Sequence, residues 1–220
     1  LLDKGQLTTG YFSLLFSKGN AAEITVGYAE SLYENERETR AAGYAYMKGN
    51  RDEVKGKRFV GYEDRLIADG GENRQFTTLW WRTWRYVFLD IKTVGEPLRL
   101  DGVYGTFTAY PFLRESQFVV PGRNDLDEIL DIGWRTARLC ANETYMDCPY
   151  YEQLQYWGDT RVQAMITMYN TRDSFMVRQA LELGRLSLMA DGLTMSRYPS
   201  DPHQFISSFS LWWIGMGYDY

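Results

Sequence analysis

The chain has 220 residues, 45% of them hydrophobic, enough to build a sizeable core in one large domain or two ordinary ones. Its net charge of −5, with Lys and Arg scattered, gives no general attraction to nucleic acid or to an anionic membrane. Aromatic residues make up 16%, and such rings serve either β-rich cores or sites that stack on flat apolar faces such as those of sugars.

The opening "LLDKGQLTTG" lacks the basic start and long apolar stretch of a signal peptide, and no run reaches transmembrane length. Up to about Pro111 the pattern is mainly one of strands. "EITVGYAE" puts Ile24, Val26 and Tyr28 on one face. "RTWRYVFLDIKT" is apolar on both faces, Trp84, Tyr86 and Phe88 against Val87, Leu89 and Ile91, and predicts a central strand. Shorter strands are predicted at 11–17, 58–67, 75–79 and 98–108, separated by the turn compositions "ADGGEN" and "VGEP". Many short strands with Gly-rich turns predict a β-sandwich over residues 1–113. Between them, the charged stretch 33–56 predicts a long surface excursion.

After "YPFLRESQFVVPGRN" the period becomes helical, so residues 114–220 form a second, all-α segment. Asn124 is a candidate N-cap for a helix bearing Leu126, Ile129, Leu130, Gly133, Trp134 and Ala137. Val162, Met165, Ile166 and Tyr169 form the expected buried stripe of a second helix. Asp173 caps a third that runs to about Ala190, and Phe205, Ile206, Phe209, Trp212, Trp213 and Met216 mark a fourth. The final "SFSLWWIGMGYDY" stops inside a helix-like pattern, which reads as a chain cut from something longer. There is no internal repeat.

Cys140 and Cys148 are too few for a disulfide framework or a four-ligand zinc site, and His203 is the one histidine. A protein-held transition metal is therefore not expected. A Cys140–Cys148 bridge requires the chain to double back; buried free thiols are the simpler reading.

Chemistry concentrates in "MDCPYYEQLQYWGDTR", residues 146–161, where Asp147, Glu152 and Asp159 lie among Tyr145, Tyr150, Tyr151, Tyr156 and Trp157. The plain reading is structural. Pro149 suits a first helical turn, and Asp159 after Gly158 can cap a helix starting at Thr160. If the backbone is helical from Pro149, Glu152 and Asp159 lie two turns apart, about 10 Å, on one face. The functional reading is a glycosidase site. Carboxylates grip sugar hydroxyls by charge-assisted hydrogen bonds, rings cover the C–H face, and a Glu among apolar rings is desolvated toward the protonated form a general acid needs. Glu152, between Tyr151 and Tyr156, is the candidate for that acid.

"DCPYYEQLQYWGD" resembles the Asp-Cys-Pro, Glu, Gly-Asp motif of the α-L-rhamnosidases of glycoside hydrolase family 78. The order "WWRTWRYVFLDI", "YPF", then the helical segment with this motif is similar to theirs. The resemblance implies a β-sandwich domain (1–113) followed by the first hairpins of an incomplete (α/α)6 barrel (114–220). It also implies inverting hydrolysis of terminal α-L-rhamnosides in glycans or glycosides, without a cofactor. By position, Glu152 matches the general acid and Asp147 and Asp159 match carboxylates that bind rhamnose hydroxyls, with Tyr156 and Trp157 beside the sugar. Tyr156 falls where many relatives carry Trp, and Tyr151 near where many carry a basic residue. The family's general base, a Glu far downstream, has no match before Tyr220, so the chain reads as the acid half of the machinery, inactive by itself. The alternative is a non-catalytic carbohydrate-binding or structural protein on the same fold.

The remaining candidates read as structure first. His203 could touch a substrate but suits a loop or cap. Trp212 and Trp213, at helical spacing with Phe209 and Met216, suit the core, and Asp201 suits a cap of the last helix. "GDTR" and "ADGG" lack the Lys and Ser/Thr of a phosphate loop.

Overall fold

The computed structural model describes residues 1–34 and 47–220. The described residues divide into two compact units, Leu1–Thr108 and Ala109–Tyr220. No helix among them is long and apolar enough to cross a membrane.

The first unit is a curled antiparallel sheet of β1 (Leu2–Lys18), β2 (Glu23–Ala29), β3 (Tyr62–Ile67), β4 (Arg74–Thr77), β5 (Arg82–Lys92) and β6 (Leu98–Phe107). Strands β3, β2, β5 and β1 are neighbours in that order. Gly10 of β1 pairs with both Arg82 and Phe107, and Ser13 with both Thr77 and Tyr104. It follows that β4 and β5 lie end to end along one side of β1, with β6 along the other. At 17 residues, β1 is far longer than the predicted 11–17, because its exposed first part also joins the sheet. The register shifts between Asp3 and Thr8, where Gly5 has φ +82° and its N–H donates to Asp3 Oδ1 at 2.7 Å. A side chain at that φ would be strained, so glycine makes this bulge possible.

The alternation read from the sequence sets the core. Ile24, Val26 and Tyr28 are all buried, packed with Phe12, Leu14, Phe16, Trp84 and Val87. Phe12 meets Tyr28 and Trp84 edge to face, with ring centroids 5.7 and 6.1 Å apart. Strand β5 is central as predicted, paired to β1 and β2. The strand predicted at 58–67 begins only at Tyr62. Half of the expected excursion at 33–56, residues 35–46, lies outside the described residues.

The second unit contains, among the described residues, helices α1 (Asn124–Leu139), α2 (Trp157–Asn170), α3 (Phe175–Leu186) and α4 (Ser207–Asp219). Arg123, not Asn124, occupies the N-cap position of α1. On α1, Ile129 is exposed, and burial is concentrated at Ala137 and Leu139 near its end. For α2 the expected face is wrong. Val162, Met165 and Tyr169 are exposed, and the buried face is Trp157, Thr160, Ala164 and Thr167. Small residues let neighbouring helices approach closely, so packing rather than side-chain apolarity chose the face. Asp173 does act at the start of α3, its Oδ1 accepting the Phe175 N–H at 2.8 Å, but that helix ends at Leu186, short of Ala190. Gly184 marks a close approach between α3 and α4: a Cβ there would stand 2.1 Å from Trp213 Nε1. Trp157 is fully buried at the centre of this unit's core, with Tyr145, Met176, Val177 and Met216.

Candidate active site

The motif folds as a loop held shut at its base, followed by a helix. Asp147 N–H donates to Leu154 O at 2.9 Å, and Leu154 N–H donates back to the Asp147 carboxylate at 3.0 Å. Between these points Pro149–Glu152 are turns, so the helix considered from Pro149 is not formed. Gln153 takes φ +56° and its side-chain amide donates to Pro149 O at 2.9 Å, which reverses the chain. Helix α2 starts at Trp157, three residues earlier than the cap reading required, and Asp159 lies within its first turn. A carboxylate there complements the partial positive charge of the helix N-terminus.

Glu152 stands on the outer part of this loop with its side chain about half exposed. Its N–H lies 3.3 Å from Cys148 Sγ. Tyr156 donates its hydroxyl to Glu152 Oε2 at 2.7 Å, and Arg197 Nη1 donates to the Tyr156 hydroxyl at 2.6 Å while lying 3.8 Å from Glu152 Oε2. The polar partners of this carboxyl are a phenol and a guanidinium, and half of its side chain is open to solvent. Tyr151, the ring beside it in sequence, is exposed and instead meets Tyr150 edge to face.

Asp159 keeps solvent access, yet the protein mass around its carboxyl raises its pKa, and the negative charges of Asp147 and Glu152 raise it further. The three acids therefore share one electrostatic neighbourhood. Asp159 lines an open cleft of about 450 Å³ with Gly158, Val162, Gln163, Phe209 and Trp212. Trp212, expected in the core, is 40% exposed here, whereas Trp213 packs inward as expected. Phe209 in the cleft wall meets Tyr156 edge to face at 6.1 Å, so ring contact joins the cleft to the residue that holds Glu152.

Trp157 does not belong to this surface. Its ring is fully buried and its Nε1–H donates to Met195 O at 2.5 Å, so it cannot cover a sugar. His203 is exposed and outside the cleft lining, and Asp201 caps nothing, since α4 starts at Ser207. Sequence reasoning missed Arg197. It sits in a loop with no periodicity, 45 residues after Glu152, and only the backbone bridge between Tyr156 and Arg197 brings it to the motif. A larger cavity of about 710 Å³ on strands β2, β3 and β5 contains none of the motif residues. Among the described residues no cluster of three or more His, Cys, Asp or Glu side chains can hold a metal ion.

Cys140 and Cys148 are free, the first buried and the second partly so. Burial pushes the Cys140 thiol up to about 12, and the nearby Cys148, Asp147 and Asp159 add to the rise. Because the thiolate is the reactive form, a maleimide at about pH 8 should label Cys148 and spare Cys140 until the chain is unfolded. Labelling read by peptide mass spectrometry checks this; equal modification of both thiols in the native chain contradicts it.

Residues 116–216 match the family model described as the bacterial alpha-L-rhamnosidase 6 hairpin glycosidase domain. No curated protein sequence matches the chain significantly. Among solved structures, a family 78 rhamnosidase of Bacillus sp. GL1 superposes with TM-score 0.78 at 23% identity, over 97% of this chain and 20% of that one. A rhamnosidase from Klebsiella oxytoca with rhamnose bound gives 0.72 at 16% identity, over 99% of this chain and 42% of that one. An α-L-rhamnosidase from Dictyoglumus thermophilum gives 0.72 at 17%, over 99% and 23%. The chain thus spans between about a fifth and two fifths of the length of these structures. The likeness of folds extends over nearly the whole chain, and with the sequence match in the helical unit it establishes that this chain resembles the α-L-rhamnosidases of glycoside hydrolase family 78.

Proposed function

We propose that the chain carries the acid side of an inverting α-L-rhamnosidase active site, with Glu152 as general acid. In this reading residues 1–113 are a β-sandwich domain and 114–220 the first hairpins of an (α/α)6 barrel. The observation that carries it is the tethered Glu152 carboxyl beside Asp147 and Asp159, in a segment matching a rhamnosidase family model. Glu152 protonates the leaving oxygen of a terminal α-L-rhamnoside while water attacks the opposite face. The general base is a second carboxylate roughly 6.5–9.5 Å from the acid, which we assign to no residue of this chain. Asp159 binds sugar hydroxyls at the cleft by accepting their hydrogen bonds. Trp212 and Phe209 cover the sugar's apolar face. Asp147 has one oxygen committed to Leu154 N–H and offers the other to substrate. No step calls for a cofactor.

Hydrolysis of an aryl α-L-rhamnoside by a protein that pairs this chain with the second carboxylate, followed by proton NMR, tests this reading. The β anomer of rhamnose should appear first and then mutarotate; α-rhamnose as first product removes the inverting mechanism. The half-exposed setting of Glu152 favours a second reading, a non-catalytic carbohydrate-binding protein on the same fold. Saturable rhamnose binding with no release of product, in a protein that pairs this chain with the second carboxylate, supports that alternative.

A further inference from the structure

We propose that Arg197 is the positioning residue of this site, orienting the Glu152 carboxyl through the hydroxyl of Tyr156. The inference rests on the reading of Glu152 as general acid and adds what holds that acid in place.

Glu152 needs such a device. It sits on a turn, half in solvent, where a flexible side chain gains entropy by leaving any single orientation. Arg197 is the opposite kind of group, with its side chain only 13% exposed. Three hydrogen bonds fix its backbone: Trp157 N–H to Ser196 O at 3.1 Å, Tyr198 N–H to Gln155 O at 3.2 Å, and Gln155 Nε2 to Tyr198 O at 3.0 Å. Residues 155–157 and 196–198 therefore lie side by side with Arg197 opposite Tyr156. The guanidinium stands 5.3 Å from the centre of the Tyr156 ring, and Phe209 packs against that ring edge to face. With the ring held by both contacts, its hydroxyl is set to accept a hydrogen bond from Arg197 and to donate one to Glu152 Oε2. That leaves Glu152 Oε1 as the oxygen available to a leaving group. The Tyr156 hydroxyl registers both neighbours: burial and Glu152 raise its pKa, and Arg197 opposes the rise.

The test uses Arg197→Met, Arg197→Lys, Tyr156→Phe and the double variant Arg197→Met/Tyr156→Phe, with Glu152→Gln as reference, each in a protein that pairs this chain with the second carboxylate. Two substrates are compared, methyl α-L-rhamnoside, whose leaving group needs a proton, and 4-nitrophenyl α-L-rhamnoside, whose leaving group hardly does. Arg197→Met should lower kcat on the methyl glycoside about tenfold or more, with a smaller loss on the nitrophenyl glycoside and little change in KM. Arg197→Lys should recover part of the loss, and Arg197→Met should cost nothing further in the Tyr156→Phe background. Equal losses on both substrates, or additive losses in the double variant, overturn the relay. If Glu152→Gln turns over both substrates at the unsubstituted rate, the general-acid reading fails. If Glu152→Gln is impaired while Arg197→Met and Tyr156→Phe are not, only the relay fails. A second measurement is independent of turnover: in protein labelled at tyrosine Cζ, the Tyr156 titration should move up in Arg197→Met and down in Glu152→Gln. No movement in either variant overturns the proposal even in a protein without activity.

Discussion

In a protein that pairs this chain with the second carboxylate, replacing Glu152 with Gln lowers turnover of a rhamnoside with a poor leaving group by roughly 10²–10⁴-fold, the contribution typical of a positioned general acid. The substitution keeps the size and one acceptor of the side chain, so the Tyr156 hydroxyl retains a partner. What disappears is the transferable proton. The loss therefore scales with how much the leaving oxygen needs protonation, becoming small for an activated aryl rhamnoside. Affinity for rhamnose itself stays within a fewfold, because the proposed hydroxyl contacts belong to Asp147, Asp159 and the cleft wall. Rates on two leaving groups and a rhamnose titration, measured side by side, check this. Equal rates for variant and parent on the poor leaving group remove Glu152 from the role.

The largest expected effect on stability lies at Trp157. Its fully buried ring fills the centre of the helical unit, and Trp157→Ala should destabilise that unit by about 3–5 kcal/mol through lost burial and the cavity left behind. Trp157→Phe keeps most of the ring but strands the Met195 carbonyl, and should cost about 1–3 kcal/mol. Urea unfolding followed by far-ultraviolet circular dichroism gives both values. A loss below about 1 kcal/mol for Trp157→Ala would contradict the core role. The site should suffer along with the fold, since Met195 precedes the Ser196–Tyr198 segment that carries Arg197.

Much of the fold could be read in the sequence where one kind of side chain decided it. Ile24, Val26 and Tyr28 alternate with polar neighbours and are all buried, and the doubly apolar Arg82–Lys92 run became the central strand. The start of β1 was hidden because its first residues are exposed and broken by Gly5, so no alternation marks them. The face of α2 misled for a different reason. Thr160, Ala164 and Thr167 are too small or polar to signal burial, while Val162, Met165 and Tyr169 point outward. The motif was legible as a cluster of acids and rings, but not which rings face inward. Trp157 and Tyr156 are adjacent in sequence, yet one is core and the other holds Glu152. Arg197 could not be seen at all, because what joins it to the motif is backbone pairing across a long separation, which leaves no side-chain pattern.

The two hydrogen bonds that join Asp147 to Leu154 turn the loop into an exchangeable cassette. Both ends of the segment are fixed to each other by backbone groups and one carboxylate, none of which belongs to the exposed side chain at 151. Tyr151 faces outward from this closed frame while Tyr150 is buried, so a library that varies Tyr151 around a constant Asp147, Pro149, Tyr150, Glu152 and Gln153 changes what the loop offers to a ligand while the frame keeps its shape. Asp147 is then the frame's hinge pin as much as a ligand for a sugar. Its replacement removes one of the two bonds that close the frame, whereas Asp159, anchored on a helix, takes no part in that closure.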